Sequence, residues 1–206
     1  MTGGYDNGYR ACNCFWGRTP GSLILQLKQR IDSFDGLQVL DAGCGEGKNA
    51  VYLSSHGASV YAFDISPLAL ANAKQAWGDV HGIKWEVGDI RTMPLPEGRY
   101  DLILAYGLLH CLPDLYTIEH TVARLKNSTR PGGYNIVVAF NHRHQELDAH
   151  SEFSPCLVEH SMYARMYDGW QIIQLTDSDL TETHPHNHIK HTHSMTRILA
   201  QKRLIP

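Results

Sequence analysis

Long apolar runs are missing from this sequence, as is any marked excess of charge of one sign. The longest apolar stretch, Leu102 to Leu109, is broken by Gly107 and is far too short to cross a bilayer. The opening residues, Met1-Thr2-Gly3-Gly4-Tyr5-Asp6, have neither a basic region nor an apolar segment, so no secretory leader is expected. No two of the five cysteines form a Cys-x-x-Cys pair, and reduced thiols in a cytoplasmic protein are the expectation. The formal charge is −3, with lysines and arginines dispersed, which argues against a nucleic-acid partner. Internal repeats and low-complexity linkers are absent too. What is present is ordinary for a packed chain: 206 residues, 43% hydrophobic and 19% charged. That length fits one domain, since domains run to roughly 100–200 residues. Histidine is the exception, with thirteen in all, five of them (184, 186, 188, 191 and 193) close together near the end.

The pattern along the chain alternates strand and helix. A polar, aromatic-rich lead-in precedes a helix predicted from Pro20 to about Ser33, with Leu23, Ile24, Leu27 and Ile31 at helical spacing. Gln38 to Ala42 reads as a strand, and Asn49 to His56 as a helix closed by Gly57. A strand from Ser59 leads to Asp64, and Ser66-Pro67 opens the next helix. Ile83 to Val87 is a third strand and Tyr100 to Ala105 a fourth, apolar enough to be buried on both faces. A helix over Leu115 to Leu125, a turn at Arg130-Pro131-Gly132-Gly133 and a strand from Asn135 to Phe140 follow. Trp170 to Leu175 and His191 to Ala200 read as an antiparallel end piece around a histidine-rich connection. Residues 141–167 show little periodicity, compatible with a loop, a helix or a lid. These units predict an α/β fold: a doubly wound, mostly parallel sheet of seven strands with an antiparallel last strand.

The clearest chemical signal is Asp41-Ala42-Gly43-Cys44-Gly45-Glu46-Gly47, where a strand runs into closely spaced glycines and then a helix. Such a loop lets backbone approach a ligand without Cβ clashes. A dinucleotide fingerprint would need glycine at 48, which is Lys48, and a P-loop would need Ser or Thr at 49, which is Asn49. Both phosphate-binding readings fail. Asp64, with Ile65 after it, closes the second strand where a carboxylate can accept both hydroxyls of a ribose, although an acid near a helix start is also favoured by the helix dipole. Gly88-Asp89-Ile90 follows the third strand, where a carboxylate can meet the exocyclic amine of adenine; a plain turn is the alternative. Together they describe a nucleoside site without phosphate contacts.

With these motifs the chain resembles the class I S-adenosylmethionine-dependent methyltransferases from Val39 to Phe140. Pro131-Gly132-Gly133-Tyr134-Asn135, Tyr167-Asp168-Gly169-Trp170 and the ending Met195 to Lys202 resemble the tellurite-resistance (TehB-type) group among them. The resemblance implies a Rossmann-like methyltransferase fold, with residues 1–35 as an N-terminal cap and helix and 36–206 as the catalytic core. It implies S-adenosyl-L-methionine as cofactor and S-adenosyl-L-homocysteine as product. By resemblance Asp41, Gly43 and Gly45 hold the methionine end, Asp64 and Ile65 the ribose, and Asp89 and Ile90 the adenine. Tyr106, after the fourth strand, then lies beside the reactive methyl, and Trp16 either closes over the cofactor or packs in the core. The acceptor implied is a small molecule, such as a thiol, tellurite or selenite, handled by a monomer or homodimer; a natural-product or metabolite O- or N-methyltransferase is the runner-up.

The histidines support several readings. His191 and His193 share parity at the start of the last strand and are expected to overlook the methyl group, orienting an anion or accepting a proton. His110, just after the fourth strand, is a second catalytic candidate or a helix cap. A metal site and a solvated hairpin are the alternatives for the cluster, the former giving a histidine-rich metal-binding protein as the non-enzyme reading. Cys44 and Cys111 are read as small packing residues.

Overall fold

The computed structural model describes residues 4–78, 80–148, 153–184 and 188–204. Seven strands form one sheet: β1 (Gln38–Ala42), β2 (Ser59–Asp64), β3 (Ile83–Val87), β4 (Tyr100–Tyr106), β5 (Thr129–Gln145), β6 (Gln171–Glu182) and β7 (His191–Gln201). Their order is β3-β2-β1-β4-β5-β7-β6. β1 to β5 pair in parallel, and β7 pairs antiparallel with both β5 and β6. This is the doubly wound, mostly parallel sheet expected, with its antiparallel end.

Among the described residues six α-helices accompany it: α1 (Asp6–Ala11), α2 (Ser22–Lys28), α3 (Lys48–Ser55), α4 (Pro67–Trp77), α5 (Leu115–Ser128) and α6 (His160–Arg165). Ser66 caps α4 by accepting from the Ala69 amide at 3.2 Å, with Pro67 in the first turn. Asp114 caps α5 by accepting from the Thr117 amide at 2.7 Å. Alternation along the central strands sends Leu102 and Leu104 into one layer with Leu23, Ile24 and Leu27, and Ile103 and Ala105 into the other with Ile118, Val122 and Leu125. β4 is buried along nearly its whole length, as a strand covered on both faces must be. No helix among the described residues is long and apolar enough to cross a membrane.

Four local features depart from the sequence reading. The helix expected over Pro20 to Ser33 ends at Lys28, because the amides of Arg30 and Ile31 both turn back onto the Leu27 carbonyl. The lead-in contains a helix, α1, too short to stand alone. Tertiary bonds hold it: Asn72 donates to the Tyr9 carbonyl at 2.7 Å and the Ser66 hydroxyl to Asp6 at 2.6 Å. The expected turn at Arg130 to Gly133 is a bulge within β5, where pairing jumps from Tyr100↔Thr129 to Leu102↔Tyr134. β5 runs on past Phe140 to Gln145, into the stretch 141–167, where α6 (His160–Arg165) realises the helix left open there.

Candidate functional site

A cavity of about 470 Å³ opens at the carboxyl ends of β1, β2, β3 and β4, where a doubly wound sheet binds its ligands. Gly43, Gly45 and Gly47 line it with φ of 69°, 53° and 78°, a region that L side chains rarely adopt. A Cβ on Gly43 would come within 2.8 Å of Leu108, so this close approach needs glycine as well as the backbone angle. Asp64, 8% exposed, lies in the lining; its two carboxylate oxygens accept from the Gly45 amide at 2.8 Å and the Ser66 amide at 2.9 Å. Those bonds aim the carboxylate at the glycine loop and leave further lone pairs for a hydroxyl ligand. Burial raises its pKa, opposed by the same amides.

Ile65 and Ile90 also line the cavity. Asp89 does too, but Arg91 grips it: Nε lies 2.9 Å from each carboxylate oxygen and Nη2 closes the fork. Arg91 holds the Asp89 pKa below the usual carboxylate range, and an adenine amine there would share the carboxylate with a guanidinium. Asp41 is not part of the lining. It is 1% exposed behind the glycine loop, and burial together with the nearby Asp64 raises its pKa to about 7. Its two oxygens make no well-formed hydrogen bond among the described residues.

The N-terminal segment roofs the cavity. Tyr5, Tyr9 and Trp16 line it, Trp16 Nε1 donates to the Tyr9 hydroxyl at 3.3 Å, and Tyr5 meets Trp16 edge-to-face at 4.9 Å. Lys48 fastens the roof by donating to the Trp16 carbonyl at 2.7 Å. Glu46 does so from below, accepting from the Cys14 amide at 2.9 Å and from Asn72 at 3.0 Å. Asn49 accepts from the Gly21 amide at 2.9 Å. These tethers were not singled out from sequence, although Glu46, Lys48 and Asn49 lie in or beside the glycine motif; only folding shows that they grip the lead-in. Cys44 and Cys111 lie in the lining, and burial pushes both thiols up.

The histidines divide. His110 is in the lining and stacks on Phe140 at 4.1 Å. Its Nδ1 accepts from the Phe140 amide at 3.1 Å, so in the neutral ring Nε2 carries the proton and faces the Tyr5 hydroxyl at 3.1 Å. His191 and His193, expected to overlook the methyl group, lie outside the lining at 1% and 0% exposed. His193 stacks against the far side of the wall, on Phe140 at 4.2 Å, with Nδ1 2.8 Å from Gln145 Oε1. β7 lies beside β5 in the sheet, and its first residues pair beyond Phe140, the last residue of β5 in the lining, with His193 opposite Gln145. A solvated hairpin does not describe these two residues, nor His184 at 2% exposed; His188 is exposed, and His186 lies outside the described residues. The wall on this side is instead built by Tyr106, Leu180, Glu182, Met195 and Arg197. Burial raises the Glu182 pKa, while His191, Lys48 and Arg197 pull it back.

Residues 39–133 match the family model described as a methyltransferase domain. The fold is that of the class I S-adenosylmethionine-dependent methyltransferases. The structure of TehB from Haemophilus influenzae superposes with a TM-score of 0.73 at 20% identity, over 89% of this chain and 62% of that one. By sequence, the chain is 34% identical to the malonyl-[acyl-carrier protein] O-methyltransferase of Pectobacterium atrosepticum over 64% of its length and 49% of the relative's. It is 28% identical to hemagglutinin 1 of Eikenella corrodens over 74% of its length and 50% of the relative's. The chain thus spans about half the length of each of these two relatives.

The cavity fits the cofactor that this fold carries. A glycine loop whose close approach Leu108 confirms, a buried carboxylate offered by Asp64 and an apolar shelf at Ile65 and Ile90 suit a nucleoside with an amino-acid tail and no phosphates.

Proposed function

We propose that this chain transfers the methyl group of S-adenosylmethionine to a small, soft acceptor, a thiol or a chalcogen oxyanion such as tellurite or selenite. When bound, the cofactor supplies an electrophilic methyl on a sulfonium, so the protein chiefly positions, shields and balances charge. On this reading the glycine loop makes room for the methionine end, Asp64 takes the ribose hydroxyls, and Ile90 and Asp89 flank the adenine. Tyr5, Tyr9 and Trp16 exclude water above the reacting atoms.

The observation that carries the acceptor class is the state of His110. The imidazole of the lining spends its Nδ1 lone pair on the Phe140 amide, which leaves it a hydrogen-bond donor and no ready proton acceptor. A thiolate or oxyanion needs little help from a base, and Arg197 offers it a counter-charge. The resemblance to the tellurite-resistance group supports the same choice. A hydroxyl acceptor is the second reading, favoured by Glu182, a partly buried carboxylate in the cavity wall that can take a proton.

The test is a screen of acceptors, read as adenosylhomocysteine release, with tellurite, selenite and thiols set against hydroxyl and amine compounds. Turnover of the soft group is expected. Turnover confined to hydroxyl or amine acceptors would transfer the assignment to the Glu182 reading.

A further inference from the structure

Three donors converge where β6 and β7 stop pairing. Glu182 and His191 are direct cross-strand partners at the end of the ladder, and two residues beyond Glu182 the chain brings back His184. Glu182 Oε1 lies 3.8 Å from His191 Nε2 and 3.9 Å from His184 Nε2, and one donor atom from each residue falls within 4.8 Å of the other two. Both imidazoles are buried, and Glu182 is partly exposed toward the cavity.

We propose that Glu182, His184 and His191 form a binding site for a divalent transition-metal ion of the zinc class. The donor set is right: two imidazole nitrogens and one carboxylate oxygen suit zinc and leave a tetrahedral ion one open position. The separations are slightly wide. Ligands about 2.0–2.1 Å from zinc stand roughly 3.3 Å apart, so closing the site takes an inward shift of about an ångström or less per donor.

The surroundings support the site independently of the donors. His191 Nδ1 lies 2.8 Å from the Ile189 carbonyl, which makes Nδ1 the protonated nitrogen and presents the Nε2 lone pair to the cluster. A ring N–H donated to a backbone carbonyl is the usual way that a metal-binding histidine is oriented. His184 is clamped by the roof, stacked on Phe15 at 4.2 Å and edge-on to Trp16 at 5.3 Å. An ion here joins the end of β6, the following connection and the start of β7 directly under the N-terminal segment. Because Glu182 also lines the cavity, the open position belongs to water or to an acceptor's sulfur or oxygen; that last step rests on the transferase reading above, whereas the metal site does not.

The experiment uses the full chain, stripped with chelator and titrated with zinc by calorimetry, then with cobalt(II) followed by its visible d–d bands. One equivalent of zinc and the spectrum of tetrahedral cobalt are expected. Affinity should fall at least about tenfold in each of His184→Gln, His191→Gln and Glu182→Gln. His144→Gln, at an exposed histidine, should bind as the parent does. If the two buried-histidine variants unfold, Glu182→Gln and the cobalt spectrum decide. No stoichiometric zinc, or binding that survives all three changes, overturns the site. Adenosylmethionine binding is measured on the same samples, so a failure of the transferase reading registers separately.

Discussion

The Phe140 amide donates to Nδ1 of His110 at 3.1 Å, tying the loop after β4 to the middle of β5. This bond sets the ring's tautomer and turns the protonated Nε2 toward Tyr5 in the N-terminal roof. On the proposed reading, His110 is a positioning residue for the roof. His110→Asn keeps polar capacity but cannot span both partners, and should lose about 1–3 kcal/mol of stability. Acceptor KM should rise more than kcat falls, and the pH–rate profile should keep its shape. A kinetic limb that disappears in the variant would instead make His110 the base.

Asp64 is held by one amide of the glycine loop, Gly45, and one at the start of α4, Ser66, and is the lining carboxylate proposed above for the ribose diol. Asp64→Ala should weaken adenosylmethionine binding about tenfold or more, since charge-assisted bonds contribute roughly 1.5–3 kcal/mol each. Calorimetry on the folded variant decides, and unchanged affinity would remove Asp64 from the cofactor site.

Asp89 is held by Arg91, so its substitution acts twice. Asp89→Asn breaks the fork and leaves the guanidinium facing the cavity. Adenosylhomocysteine should bind more weakly to it, and Arg91→Ala should recover part of the loss in the double variant. Equal affinities for parent and Asp89→Asn would reduce Asp89 to a turn residue.

Burial holds the Asp41 carboxyl near a pKa of about 7, against an ordinary value of 3.8. The unfolded chain gives up this proton first. Stability therefore falls as pH rises from about 4 to about 7 and is level above, by at most about 4 kcal/mol. Asp41→Asn should flatten that slope in the ligand-free protein. Thermal melts at pH 5 and pH 8 measure it: if the variant shows the parent's difference between the two, Asp41 is not its source.

The strand–helix alternation, the glycine loop and the acids closing β2 and following β3 were legible in the sequence because each is a local pattern: apolar periodicity, capping residues, glycines where backbone must pass close. Asp64, Ile65, Asp89, Ile90 and Tyr106 meet at one sheet edge for the same reason, since parallel strands deliver their carboxyl ends to one side. What the strands' neighbours do was not local. Placing His191 and His193 outside the lining followed from the insertion of β7 between β5 and β6 in a register that sets His193 opposite Gln145, a pairing choice that no residue of β7 announces. The Arg91 fork on Asp89 and the Phe140 bond to His110 depend on side-chain directions fixed only by packing. Folding α1 over the glycine loop depended on Ser66 and Asn72, which lie 60 and 63 positions from Asp6 and Tyr9, the residues they bind. Short-range chemistry specified the sheet and its cofactor edge; long-range packing, which alone can satisfy buried polar groups from distant segments, decided which side chains roof the cavity, which back it, and where the histidines converge.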